Sequence, residues 1–215
     1  MTTENLPVLA ILGGTGDLGT GLARRWAQAG YEVIIGSRTL EKAEAAVADL
    51  REVMAERGVS EVTVQAMSNA DAAAAAEIVT LTVPFSHQVS TLESVRDALQ
   101  GKILIDVTVP LVPPRVARVQ LPPEGSAGQI AQELLGEEVA VVSAFQNVAA
   151  AHLQEGKGVE CDVLVSGNKK DARQQVIKLV EAAGMRGFHA GMINNAAAAE
   201  ALTSVLIAIN KQYGC

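Results

Sequence analysis

Val8-Leu9-Ala10-Ile11-Leu12-Gly13-Gly14-Thr15-Gly16-Asp17-Leu18-Gly19, near the start of the 215-residue chain, decides how the rest is read. Five consecutive apolar residues cut off by glycines are a strand buried on both faces, as in parallel sheets. Leu18, Leu22, Trp26 and Ala29 then recur at helical spacing, and Gly30 suits the C-terminal cap of that helix. The connection carries the spacing Gly14-x-Gly16-x-x-Gly19. Gly14 permits a tight turn, Gly16 lets a ligand approach the backbone, and Gly19 lets the helix pack against the strand. Alone, such glycines mark only a tight strand–helix turn. At the first strand of an alternating pattern they form a pyrophosphate cradle, with backbone N–H groups and the positive end of the helix dipole as donors.

The alternation is there. A second strand spans 31–35, a long helix rich in Ala, Glu and Lys spans 40–57, and short strands follow at 62–64 and 78–83. A helix over 86–99 leads to a strand at 103–107, and a helix over 128–135 to a strand at 139–144. The alanine-rich run 71–77 reads as a short helix rather than low complexity, because alanine has the highest helix propensity. Five of the seven prolines fall between Pro110 and Pro123, so that stretch is an irregular, stiff connection. Beyond Gln146 the rhythm changes to strand 162–166, helix 171–183, strand 187–190 and helix 196–211. The expected fold class is therefore α/β: a doubly wound parallel Rossmann sheet over 1–150 with a small C-terminal α+β domain over 151–215.

Composition narrows the partners. A net charge of −7 argues against a nucleic-acid or membrane-surface binder, although a few local donors can still hold a phosphate. Aromatics make up 3% of the chain, so the core is aliphatic. Residues 1–7 lack the basic and apolar regions of a signal peptide, no apolar run is long enough to span a bilayer, and Cys161 and Cys215 match no metal or redox spacing. The expectation is a cytoplasmic protein with no membrane partner and no metal site.

The end of the second strand distinguishes the two dinucleotides. An NAD site carries Asp or Glu there to accept from the ribose hydroxyls. Here Tyr31–Ile35 is followed by Gly36-Ser37-Arg38. Ser37 can donate to a 2′-phosphate, Arg38 can grip it with a fork of donors, and Lys42 lies one helical turn further on. The alternative is a solvated Arg–Lys pair; the missing carboxylate favours NADP. Asp17, at a helix start, is equally a helix cap or a ligand contact.

Ligands in such sheets lie beyond the carboxyl ends of the strands. The fourth strand brings Val83, Pro84 and His87 to that edge. Val83 and Pro84 would press on the nicotinamide–ribose side, while His87 either hydrogen-bonds the cofactor or caps the next helix. The fifth strand delivers Asp106-Val107-Thr108 and the sixth Phe145-Gln146-Asn147-Val148. The amides of Gln146 and Asn147 either hold a heterocycle or merely form a turn. No Ser–His–Asp set, Cys–His set or Tyr-x-x-x-Lys pair appears, and His87, His152 and His189 share no ligand spacing. No catalytic residue is assigned, which suits an acceptor that takes hydride without a positioned proton donor.

Ile11–Gly19, Gly36-Ser37-Arg38 with Glu41-Lys42-Ala43-Glu44, Thr82-Val83-Pro84, Pro110-Leu111-Val112-Pro113 and Val142-Ser143-Ala144-Phe145, in that order, resemble the NADPH-dependent coenzyme F420 reductases (F420H2:NADP oxidoreductases). The resemblance implies a homodimer that exchanges hydride between NADP(H) and the deazaflavin F420. It implies that Thr15, Gly16, Asp17, Leu18, Ser37, Arg38 and Lys42 bind NADP, and that Val83, His87, Val112 and Ala150 line its nicotinamide end. It further implies that F420 lies near Gln146 and Val148. The enzyme must then chiefly hold two rings with the reacting carbons about 3–3.5 Å apart, the chemistry residing in the cofactors. Alternatives are an NADPH-dependent reductase of another flavin, a ferric or an imine acceptor, and a non-enzymatic NADP(H)-sensing regulator using the apolar helix 196–209 as a partner surface.

Overall fold

The computed structural model describes residues 6–59, 61–155 and 158–214. Its strands are β1 (Leu9–Leu12), β2 (Val33–Ser37), β3 (Val64–Ser68), β4 (Ile78–Leu81), β5 (Ile103–Asp106), β6 (Ala140–Ser143), β7 (Asp162–Gly167) and β8 (Arg186–Gly191). Its α-helices are α1 (Asp17–Gln28), α2 (Leu40–Glu56), α3 (Asn69–Ala75), α4 (Gln88–Val95), α5 (Ala127–Leu135), α6 (Ala150–Gln154), α7 (Lys170–Ala182) and α8 (Ala196–Tyr213). All eight strands join one sheet in the order β3-β2-β1-β4-β5-β6-β7-β8. β1 to β6 run parallel, β7 is antiparallel to β6, and β8 is parallel to β7. The change of rhythm read after Gln146 corresponds to this reversal. Residues beyond 150 add their two strands to the same sheet.

Period-two alternation of the buried strands sorts the core into two layers. Leu9, Ile11, Val33, Ile35, Ile105 and Val142 face Leu22 and Trp26 of α1, Leu50 and Met54 of α2, and Val176 and Leu179 of α7. Ala10, Leu12, Ile34, Val79, Leu81, Leu104 and Val141 face α3, α4 and α5 through residues such as Ala72, Ala73, Leu92 and Ala131. The alanine-rich run is thus a helix whose Ala72 and Ala73 are buried, and Ser68 caps it by accepting from the Asp71 N–H at 3.1 Å. The proline-rich stretch carries no regular element. The unforeseen helix is α6, directly after the sixth strand's loop.

The register levels the working edge of the sheet. Leu12 pairs with Gly36 on one side and Leu81 on the other, Leu81 with Asp106, and Asp106 with Ser143. The loops after β1, β2, β4, β5 and β6 therefore leave at one height. The strand order reverses between β1 and β4, where such sheets open a ligand crevice.

Candidate functional site

The turn after β1 is built from close approaches that only glycine allows. Gly13 has φ +69°, and a Cβ there would lie 2.5 Å from Val83 Cγ1. A Cβ on Gly19 would lie 2.7 Å from Gly14 Cα and 2.9 Å from Thr82 Oγ1, so the helix sits directly on the turn. Gly16 is the opposite case: nothing lies within 4 Å of where its Cβ would be. Gly16 is also the N-cap of α1, and no side chain caps that terminus. An uncapped helix start facing open space is a cradle for an anion.

Around it lies a cavity of about 250 Å³, lined by Gly13, Thr15, Gly16, Ser37, Arg38, Thr39, Lys42, Asn69, Thr82, Val83, Pro84, His87 and Thr91. Eight of the residues assigned to the cofactor from sequence meet here: Thr15, Gly16, Ser37, Arg38, Lys42, Val83, Pro84 and His87. Ser37 Oγ accepts from the Thr39 N–H at 3.2 Å, which leaves its hydroxyl proton available to a phosphate. Arg38 and Lys42 are exposed, and the ion pairs among the described residues involve Arg24 and Arg186 instead. His87 is the N-cap of α4, yet its side chain makes no capping bond; its carbonyl accepts from Thr91 Oγ1 at 2.7 Å.

Other singled-out residues lie elsewhere. Asp17 opens α1, its side chain caps nothing, and it lines a neighbouring surface hollow with Thr20, Arg24, Lys42 and Gln154. Leu18 is half-buried against the core, so only its backbone can serve a phosphate. Val112, 44% exposed on the proline-rich connection, and Ala150, the first residue of α6, do not line the 250 Å³ cavity. Gln146 and Val148 line a second cavity of about 400 Å³, with Phe145, Asn147, β7 residues including Leu164, and Ala199, Leu202 and Leu206 of α8.

That second cavity starts at a strained residue. Phe145 has φ +71°, which bulky side chains rarely adopt; it is held by burial and by an edge-on contact with Trp26 at 6.1 Å. Gln146 is 7% exposed, and its Nε2 donates to the Asp106 carbonyl at 2.9 Å and to Ser143 Oγ at 2.8 Å. Its Oε1 is buried and has no hydrogen-bond donor. A buried, unpaired acceptor costs about 1–3 kcal/mol. Asn147 is used for packing: its Nδ2 donates to the Ala199 carbonyl at 2.9 Å and to Thr203 Oγ1 at 3.0 Å, fastening the loop to α8.

Sequence reading missed a buried polar seam that ties α4, β5, α5 and α8 together. Gln88 Nε2 donates to Asp106 Oδ2 at 2.5 Å, Thr108 Oγ1 at 3.1 Å and the Ala127 carbonyl at 2.8 Å. The Thr108 N–H donates to Asp106 Oδ1 at 2.9 Å. Glu200 of α8, 1% exposed, accepts from the N–H groups of Ala127 at 2.7 Å and Gly128 at 3.1 Å, capping α5 from another helix. Burial raises the Asp106 carboxyl against the pull of its Thr108 and Gln88 donors. Burial, helped by the Asp106 charge, pushes Glu200 up to about 7 despite its two backbone donors. Asn69 was missed as well. It stands after β3 with Oδ1 accepting from the Gly13 N–H at 3.4 Å, and the carboxyl-end rule applied to β3 would have found it. Among the described residues no group of three or more His, Cys, Asp or Glu could hold a metal ion, and no helix is long and apolar enough to cross a membrane.

Residues 8–110 match the family model described as NADP oxidoreductase coenzyme F420-dependent. The chain is 40% identical over 210 residues to the F420-dependent NADP reductase of Methanocaldococcus jannaschii, covering 95% of this chain and 93% of that one. It is 41% identical over 208 residues to the enzyme of the same name from Methanothermobacter thermautotrophicus, covering 94% and 88%. Among solved structures, an Arthrobacter sp. FB24 protein described provisionally as an F420-dependent NADP reductase superposes with a TM-score of 0.81 at 28% identity, covering 97% of this chain and 96% of that one.

Proposed function

The chain belongs to the family of coenzyme F420-dependent NADP oxidoreductases, and on that premise we propose that it transfers a hydride between NADP(H) and the deazaflavin F420. The observation that carries the NADP half is the pairing of an open, uncapped Gly16 with Ser37, Arg38 and Lys42 in one cavity. Backbone N–H groups of Thr15 to Leu18 take the pyrophosphate, and the three side chains after β2 take the 2′-phosphate. Val83, fixed against Gly13, forms an apolar wall for the nicotinamide, with His87 beside it. Val112 and Ala150 come to that end by family resemblance.

The acceptor half rests on the relatives' activity and on the second cavity. Gln146 lines that cavity, and Val148 and Leu202 give the flat ring an apolar wall. Such a cavity, apolar with a few placed polar atoms, suits a heterocycle. The cofactors supply the redox chemistry: the hydride leaves the nicotinamide of NADPH and arrives at a deazaflavin ring carbon, and water supplies the proton that completes the reduced ring. The protein's task is to align the rings, and because solvent supplies the proton a general acid is not required of it.

The same reading makes the protein a cytoplasmic homodimer of water-soluble chemistry, with no nucleic-acid partner at a net charge of −7. Leu202, Val205, Ile209 and Tyr213 leave one face of α8 apolar and exposed, which favours a second copy there. Residues 1–150 act as the NADP unit, and 151–215 complete the acceptor cavity and the dimer. NADPH deuterated at the transferable position tests the function. Its label should appear in reduced F420 made by this protein; reduction without label transfer, or no reduction, would contradict it.

A further inference from the structure

α1 devotes one face to α6. Asp17, Thr20, Gly21, Arg24 and Arg25 fall at the i, i+3, i+4, i+7 and i+8 positions of one helical stripe, and each touches α6. A Cβ on Gly21 would lie 2.7 Å from Leu153 Cβ, so the two helices meet almost backbone to backbone. Buried Arg25 donates Nε to the Leu153 carbonyl at 3.0 Å and Nη2 to the His152 carbonyl at 2.9 Å. Arg57 donates to the Gln154 carbonyl. Cations on the last carbonyls of a helix complement its dipole, which helps hold a helix too short to be stable alone.

The side chain of Gln154 goes further. Its Nε2 donates to the Asp17 carbonyl at 2.6 Å and to Thr20 Oγ1 at 2.9 Å. Thr20 Oγ1 in turn donates to the Gly16 carbonyl at 3.1 Å. Arg24 donates to Gln154 Oε1 and is itself paired with Asp49 at 2.5 Å, so the amide has one orientation: oxygen to Arg24, NH2 to the turn. Gln154 thus reaches the pyrophosphate turn through one hydroxyl. At the other end of its segment, Phe145 rests on Trp26, also on α1, and between them lie Gln146 and Val148 of the acceptor cavity.

We propose that Gln154 is a positioning residue that couples occupancy of the Gly16 turn to the ordering of residues 145–154, so that dinucleotide binding sets the acceptor side. Phosphate on the turn's N–H groups fixes the carbonyls of Gly16 and Asp17 from the opposite side, and Gln154 and Thr20 carry that restraint to α6. The coupling rests on the NADP(H) reading of the turn and not on the identity of the acceptor.

Amide hydrogen exchange on the full chain, with and without saturating NADP+, tests it using wild type and Gln154→Met, which keeps the side-chain length and removes the hydrogen bonds. In wild type, NADP+ should slow exchange across 145–154 by roughly fivefold. In Gln154→Met that protection should disappear while the Kd for NADP+ stays within about twofold. Retained protection in the variant, no protection in wild type, or a parallel loss of NADP+ affinity would overturn the coupling. Wild type that shows the exchange effect but fails to reduce F420 with NADPH would refute the acceptor assignment alone.

Discussion

The dinucleotide cavity and the acceptor cavity are assembled in opposite ways. The first draws much of its lining from two short runs, Gly13–Gly16 and Ser37–Lys42, each attached to the end of a buried strand whose register is set by the core. The second takes its walls from the loop after β6, the start of β7 and the far face of α8, which meet only because the sheet reverses direction at β7. The first relies on backbone geometry: at Gly13 and Gly19 a Cβ would crowd the turn itself, and at Gly16 it would fill the open space in front of the helix. The second relies on a strained Phe145, a buried amide and long-range ties from Asn147 and Glu200. A backbone site of the first kind should fail completely when one atom is added; a side-chain site of the second kind should weaken by steps.

The largest effect belongs to the turn. Gly16→Val places a branched side chain in the open space before the α1 N-terminus, where no protein atom lies within 4 Å of its Cβ. Nucleotide binding by fluorescence titration should be abolished while the melting temperature barely moves. Retained affinity would make the turn purely structural and dissolve the contrast.

Arg38→Ala comes next. A charge-assisted bond to phosphate is worth about 1.5–3 kcal/mol, so KM for NADPH should rise roughly tenfold or more while that for NADH is unchanged. Equal weakening of both would show that Arg38 does not read the 2′-phosphate.

On the other side, Gln146→Met should raise KM for F420 by about tenfold and leave the Kd for NADPH unchanged. It should also lower the melting temperature, because the Asp106 carbonyl and Ser143 hydroxyl lose their donor. A change in NADPH affinity instead would move Gln146 out of the acceptor cavity.

The last effect is on stability rather than on either ligand. The folded chain holds the Glu200 proton more tightly than the unfolded chain does, since its pKa rises from 4.5 to about 7. The stabilisation is therefore fully present below about pH 4.5 and is lost as pH climbs to about 7, a change of about 3 kcal/mol. Thermal denaturation should show a lower melting temperature at pH 8 than at pH 5, and Glu200→Gln should remove most of that fall. An equal fall in the variant would place the titration elsewhere.

The same contrast explains what could be read from the amino acids alone. Strand ends and glycine turns are local: the run Val8–Leu12, the spacing of Gly14, Gly16 and Gly19, and the absence of a carboxylate after β2 can be recognised within a few residues of one another. Even the proline-rich stretch was legible, because proline denies both helix and ladder. α6 was not. Five residues, Ala150–Gln154, are too few for a periodic signal, and their helix is sustained by Arg25 and Arg57, which lie about a hundred residues away in sequence. The Gln88–Asp106 bond and the Glu200 cap on α5 were hidden for the same reason, as pairings of polar residues that nothing in their own neighbourhoods demands. Gln146 stands between these cases. Its position after β6 was readable, but the inward turn of its NH2 group, which leaves the oxygen unpaired, depends on the backbone of Asp106 at the end of β5, 40 residues earlier.

Hydride transfer between NADPH and F420 requires both to meet at this one sheet edge. Following the visible absorbance of oxidised F420 while NADPH is added to the purified protein tests it most directly. Bleaching of one F420 for each NADPH oxidised is expected, with NADH far less effective at equal concentration. Unchanged absorbance from a protein that binds NADPH tightly would contradict it.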